Sequence, residues 1–192
     1  FENENYIDAN LNNNLSVYFD KTYKIKEFDF NSVGKIKKIK LNVNQSLQNN
    51  YLNAEIKKIE LNNTSVKFNL SPKKKITSFS GNYVLNNEKK LNYRFNNEIT
   101  KDLMKFDFTA QVDQKIELDI LNYVKPKGRI ANITVNLDKT KKNIKFNEIS
   151  YKESNTSILL ENLIYNNKII KSFEKISVRT FQDKKINNDF TI

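Results

Sequence analysis

From Lys35 onward, apolar and polar side chains alternate in short runs, the period-two signature of strands with one dry and one wet face. Ile39, Leu41 and Val43 alternate with Lys40, Asn42 and Asn44. Leu52, Ala54 and Ile56 continue the pattern, and a slip at Lys57-Lys58 before Ile59 and Leu61 reads as a bulge or kink. Val66, Phe68 and Leu70 form the next run, ended by Ser71-Pro72 and the Lys73 to Lys75 cluster, where proline presets φ for a turn. Phe79, Gly81, Tyr83 and Leu85 lead through Asn86-Asn87-Glu88 into Leu91, Tyr93 and Phe95, a hairpin signal because Asn tolerates positive φ. Phe106, Phe108, Ala110 and Val112 alternate against Asp107, Thr109 and Gln111, and Ile133, Val135 and Leu137 against Thr134, Asn136 and Asp138. Ile144 with Phe146, Ile149 with Tyr151, Ile158 with Leu160, then Ile164, Ile169, and Ile176 with Val178 make the last third β as well.

Two segments depart from this period. Between Gln114 and Val124, Ile116, Ile120, Leu121 and Val124 recur every three to four residues, which predicts a short amphipathic helix closed by Lys125-Pro126-Lys127-Gly128, with strand as the other reading. Asn97 to Met104 fits another helical turn capped by Thr100. No long helix is available to cover the apolar faces, so a second sheet or a ligand must. A closed β-sandwich or barrel, a solenoid and a long half-open antiparallel sheet all meet that requirement. The solenoid lacks a fixed repeat, and so few Gly and Pro are unusual for the tight turns of a sandwich.

Composition narrows the chemistry. The 192 residues contain no His, Cys or Trp and only three Gly, Gly34, Gly81 and Gly128. Ser-His-Asp and Cys-His relays, Cys/His zinc sites, disulfides and Gly-rich nucleotide loops are therefore excluded. Glu117 and Asp119 invite comparison with a glycosidase acid pair, but no Trp platform marks a sugar cleft. Asp107 with Asp113, and Glu148 with Glu153, fall on wet faces or in loops. Tyr83, Tyr93, Tyr151 and Tyr165 read as strand residues with the hydroxyl at an apolar–polar boundary. Pro126 and Gly128 read as turn residues. The alternating phenylalanines suit a plain core as well as a lipid contact. No catalytic residue, cofactor or metal is expected.

A net charge of +11 raises the question of an anionic partner. Only Arg94, Arg129 and Arg179 carry the guanidinium that base and phosphate recognition favours; the rest is Lys, scattered at strand ends and on alternate positions. About one residue in six is Asn, so codon bias explains much of this composition, and no nucleic acid is expected. The same bias makes N-x-[ST] triplets such as Asn63-Thr64-Ser65 uninformative. No run of ~18 apolar residues exists to span a membrane as a helix. The start at Phe1 and the end in Phe190-Thr191-Ile192 suggest a segment of a longer chain.

The run from Leu118 to Leu137, in which a short apolar segment leads through Pro126-Lys127-Gly128 into the alternating strand from Ile130, resembles a feature of the AsmA-like family, in the branch containing YhdP and TamB. That resemblance implies a stretch of groove wall in a periplasmic bridge anchored in the inner membrane, conducting phospholipids toward the outer membrane. The expectation is then an all-β fold: a long, curved, mostly antiparallel sheet forming a half-open groove, with one or two short helices. It occupies 1–192 as one β-rich segment, with candidate subdivisions near 97–105 and 114–128. Ile39, Leu41, Val43, Val66, Phe68, Leu70, Phe106, Phe108, Val112, Ile133, Val135 and Leu137 would line the groove. Partners would be phospholipid acyl chains, neighbouring β segments of the same chain, and a membrane touched by parts of the parent outside this segment. The alternative is a closed β-sandwich serving as an adhesion or interaction module.

Overall fold

The computed structural model describes residues 5–43, 55–166, 168–182 and 185–192. They form strands β1 (Tyr6–Phe19), β2 (Ile25–Asn42), β3 (Lys58–Leu70), β4 (Lys74–Leu85), β5 (Leu91–Thr100) and β6 (Met104–Val112). A small hairpin of β7 (Ile116–Leu118) and β8 (Tyr123–Lys125) follows. The chain then continues as β9 (Ala131–Lys139), β10 (Ile144–Glu153), β11 (Thr156–Asn166), β12 (Ile169–Ser172), β13 (Lys175–Gln182) and β14 (Lys185–Thr191). All strands but β7 and β8 belong to one 12-stranded antiparallel sheet in the order β1-β2-β3-β4-β5-β6-β9-β10-β11-β13-β14, with β12 also on β11. Most neighbours in the sheet are neighbours in sequence, because two-residue to five-residue turns suffice to join antiparallel strands.

The pairing register turns each strand's alternation into a property of the whole sheet. One row runs Leu11, Gly34, Val66, Phe79, Phe95, Phe108, Val135, Ile149, Leu160, Ile176 from β1 to β13. The adjacent row on the opposite face runs Asn12, Val33, Lys67, Ser78, Asn96, Asp107, Asn136, Glu148, Glu161, Lys175. One face is thus apolar and the other polar across the full width, roughly 50 Å for ten or so strands at ~4.8 Å spacing. Phe68, Phe79, Phe95 and Phe106 form an aromatic ladder on the apolar face, with successive ring centroids 5.4, 5.9 and 5.5 Å apart.

Bulges keep the apolar phase where the sequence slips. Lys37 is the extra residue against β1, so that Ile36 and Ile39, three apart, share a face. Asn147 does the same between Phe146 and Ile149. Asn63 in β3 and Asn162 in β11 take positive φ (49° and 51°), which Asn accepts more readily than most residues. At Gly81, opposite the β3 bulge, a Cβ would come within 2.7 Å of the Thr64 Cα, so glycine is required by close backbone approach.

The all-β, antiparallel expectation holds, and the sheet neither closes on itself nor curls strongly. The closed sandwich is therefore not the fold of the described residues, since no second large sheet lies among them to pack on the first. No α-helix forms there either. The segment 114–128 makes the β7–β8 hairpin around a single 3-10 turn, Asp119–Leu121, closed by Asn122 in the left-handed region. Helical spacing misled because Ile120 points to solvent, while Ile116, Leu118 and Tyr123, on strand spacing, pack inward. Residues 97–104 complete β5 and turn directly into β6, with Thr100 bonding Leu103 across the turn. The bulge expected at Lys57-Lys58 is instead the entry to β3, where Asn86 Oδ1 accepts both backbone N–H groups. Leu52 and Ala54 lie outside the described residues. The Asn86-Asn87 hairpin forms as read, with φ of 49° and 62° and Glu88 N–H bonded to the Leu85 carbonyl.

Candidate functional site

The residues expected to line a groove fall on the apolar face, Val43 excepted. Ile39 and Leu41 on β2 lie opposite Leu61 and Ile59; Val66, Phe68 and Leu70 on β3 lie opposite Gly34, Ser32 and Phe30. Phe106, Phe108 and Val112 on β6 pair directly with Leu137, Val135 and Ala131 on β9, and Ala110 pairs with Ile133. Val43 lies one residue past β2, its N–H bonded to the Lys57 carbonyl. The two groups, on β2–β3 and on β6–β9, are joined by Phe79 and Phe95 on β4 and β5.

The face extends further than those residues. Ile7, Ala9, Leu11, Leu15 and Val17 on β1 oppose Ile39, Ile36, Gly34, Phe30 and Phe28, adding a long N-terminal hairpin to it. The odd-numbered spacing of these apolar residues carried the signal, diluted by the Asn12-Asn13-Asn14 run. Many of the side chains on the apolar face are half-buried by their same-face neighbours alone, and Ile7 and Leu15 on the edge are exposed.

Among the described residues, one end of the apolar face is covered. The β7–β8 hairpin lays Ile116, Leu118, Leu121 and Tyr123 over Val112, Ala131, Ile133, Tyr151 and Ile158. Three side chains of the β13–β14 hairpin hold it: Asn187 and Asn188 donate to the Leu121 carbonyl, and Gln182 Oε1 accepts from the Val124 N–H. Beneath it lies a polar cluster that includes Glu153, which the sequence placed on a wet face or in a loop, and Tyr151, read there as a strand residue at an apolar–polar boundary. The Tyr123 hydroxyl donates to Glu153 Oε2 and lies 3.1 Å from the Tyr151 hydroxyl. Glu153 Oε1 faces Arg129 Nη1 at 3.6 Å, and Glu153 is only 5 % exposed. Lys125, read in the sequence as part of the stop to a short helix, is fully buried and donates to the Pro126 and Arg129 carbonyls. Burial holds its ammonium below the usual lysine range, against the raising pull of Asp113 and Glu153.

The same burial raises the phenols. Tyr123 is pushed up to about 12, first by loss of water and then by its bond to the Glu153 carboxylate. Tyr151 is raised further, by burial and then by Tyr123. Tyr83 reaches about 12 through burial and the charge of Asp113. Gly128, at φ +88° with open space where a Cβ would sit, makes the reversal after Pro126, its N–H bonded to the Asp113 carbonyl.

A cavity of about 860 Å³ opens between this hairpin and the β10–β11 turn, reached by Pro126, Arg129, Glu153, Thr156, Phe181 and Gln182. Two smaller hollows are lined largely by the polar face, one by Asn96, Lys105 and Asp107, the other by Lys67, Ser78 and Arg94. Of the carboxylates considered, Glu117 is ion-paired to Lys115 and Asp107 to Arg94, while Glu148 stands on the polar face and Glu153 on the apolar side. Among the described residues no three metal-ligating side chains gather, and no helix is long and apolar enough to cross a membrane. No family model, curated protein or solved structure matches the chain.

Proposed function

We propose that this chain is a non-catalytic wall of a half-open lipid-binding groove, a segment of an AsmA-like envelope protein that shields acyl chains in transit between membranes. One observation carries the reading: an apolar face continuous through the strands of a single sheet, covered, among the described residues, at one end. A contiguous apolar face of this kind is the surface that marks a binding partner. An acyl chain laid along it gains ~0.8 kcal/mol per methylene removed from water and needs no hydrogen-bond partner. The phenylalanine ladder and its aliphatic flanks offer none. Sheet edges at β1 and β14 would be continued by neighbouring β segments of the parent chain, which would also supply membrane anchoring and periplasmic placement. Direction and energy come from elsewhere, since the face is passive.

The test is native mass spectrometry of the chain purified without harsh detergent, followed by solvent extraction. Phospholipid should copurify in near-stoichiometric amount. Phe108→Asp, in the middle of the apolar row, should retain the β circular dichroism spectrum and lose the lipid. A lipid-free dimer whose apolar faces are mutually protected from hydrogen exchange would instead establish a two-sheet interaction module.

A further inference from the structure

We propose that the cavity beside the β7–β8 hairpin binds a phosphate–ammonium zwitterion, the phosphoethanolamine headgroup of a phospholipid whose acyl chains lie on the apolar face. This rests on the lipid reading above and adds a headgroup specificity to it. The cavity lies where the apolar face ends: Tyr151 and Ile158 are an apolar-row pair, and the next pair on the same side, Glu153 and Thr156, reaches the cavity. A buried carboxylate is costly unless cations and donors compensate it. Glu153 receives one hydroxyl donor from Tyr123, while its contact with Arg129 at 3.6 Å is longer than a hydrogen bond. Lys125 directs two of its donors to backbone carbonyls.

Glu153 Oε1 therefore retains capacity for an ammonium donor. The Arg129 guanidinium, 65 % exposed, retains its fork for a phosphate. A bare phosphate would meet the Glu153 charge, and a simple cation would meet Arg129 and Lys125. A zwitterion satisfies both signs at once. Val124, Pro126, Ile130 and Phe181 add the apolar lining that a glycerol backbone needs as it passes onto the sheet.

The experiment offers the whole chain vesicles of phosphatidylethanolamine and phosphatidylglycerol in equal amounts and quantifies bound lipid by native mass spectrometry. In parallel, soluble glycerophosphoethanolamine is titrated by NMR. Phosphatidylethanolamine should be enriched about tenfold, the scale of one desolvated charge-assisted hydrogen bond. Glu153→Gln and Arg129→Gln should each abolish the enrichment while total lipid uptake persists. Because Glu153 is buried, Arg129→Gln, at an exposed side chain, carries the test if the first variant misfolds. Equal uptake of both lipids by the unaltered chain overturns the headgroup site and leaves the acyl face standing. Glycerophosphoethanolamine shifts around Glu153 without lipid uptake overturn the acyl face instead. Silence in both measurements overturns both.

Discussion

Tyr123 and Tyr151 show how one end of a thin sheet becomes a structured core. Their rings meet edge to face at 6.0 Å, and the Tyr123 hydroxyl is committed to Glu153. A phenol held neutral by burial ties stability to alkaline pH. An unfolded tyrosine ionises near pH 10, so the folded state, with Tyr123 at about 12, keeps its proton longer than the unfolded one. Stability is then fully present below pH 10 and is lost as pH rises from 10 through 12, by roughly 2–3 kcal/mol from Tyr123 alone. Tyrosinate absorbance against pH should accordingly show a late step, carried by Tyr83, Tyr123 and Tyr151, that coincides with loss of β structure. A single step near pH 10 with the fold intact would mean that these side chains are open to water. Glu153 and Lys125 were not legible in the sequence, because a charged residue two positions from an apolar run looks the same whether water or a hairpin covers it.

At the scale of elements, the β7–β8 hairpin is an insertion rather than a member of the sheet. Val112 and Ala131, which flank it, are already paired across β6 and β9. Replacing residues 113–130 by a tight Asn-Gly turn should therefore leave the large sheet folded, since the two-residue turn suits antiparallel neighbours. The cost is exposure of Ile133, Tyr151 and Ile158, worth about 1.5–3 kcal/mol for each large side chain uncovered. Circular dichroism should retain its β signature while binding of an apolar dye rises; global unfolding would show that the hairpin is part of the sheet's cooperative unit. Strand positions were readable because period two survives in nearly every segment. The helix expected at 114–124 was not, because three-residue to four-residue spacing also arises when two short strands flank a turn, and only pairing with Lys125, Val124 and Tyr123 decides between them.

For the molecule as a whole, a sheet whose two edges have no partner strand among the described residues has consequences for association. β1 is 14 residues long, pairs on one side among the described residues and carries a single charge, Asp8. It has no Pro and no Lys, two of the devices that keep edges from pairing with foreign strands. Substituting Asn12→Lys and Asn14→Lys, both on the polar face, should suppress concentration-dependent association in light scattering without altering the circular dichroism spectrum. Unchanged association would place the contact on the apolar face instead. By itself the sequence determined that this is a β protein with one-faced strands, where several turns fall, and which side chains are apolar together, because a two-residue period is a local property of the backbone. Its lack of His and Cys likewise fixed, locally, which chemistries it could not perform. Only the tertiary structure decided that the one-faced strands share a single sheet, that bulges at Lys37 and Asn147 hold their faces in phase, and that a hairpin buries Lys125 and Glu153 at one end. Those are facts of register and coverage between segments distant in sequence, and pairing energies, not local periodicity, set them.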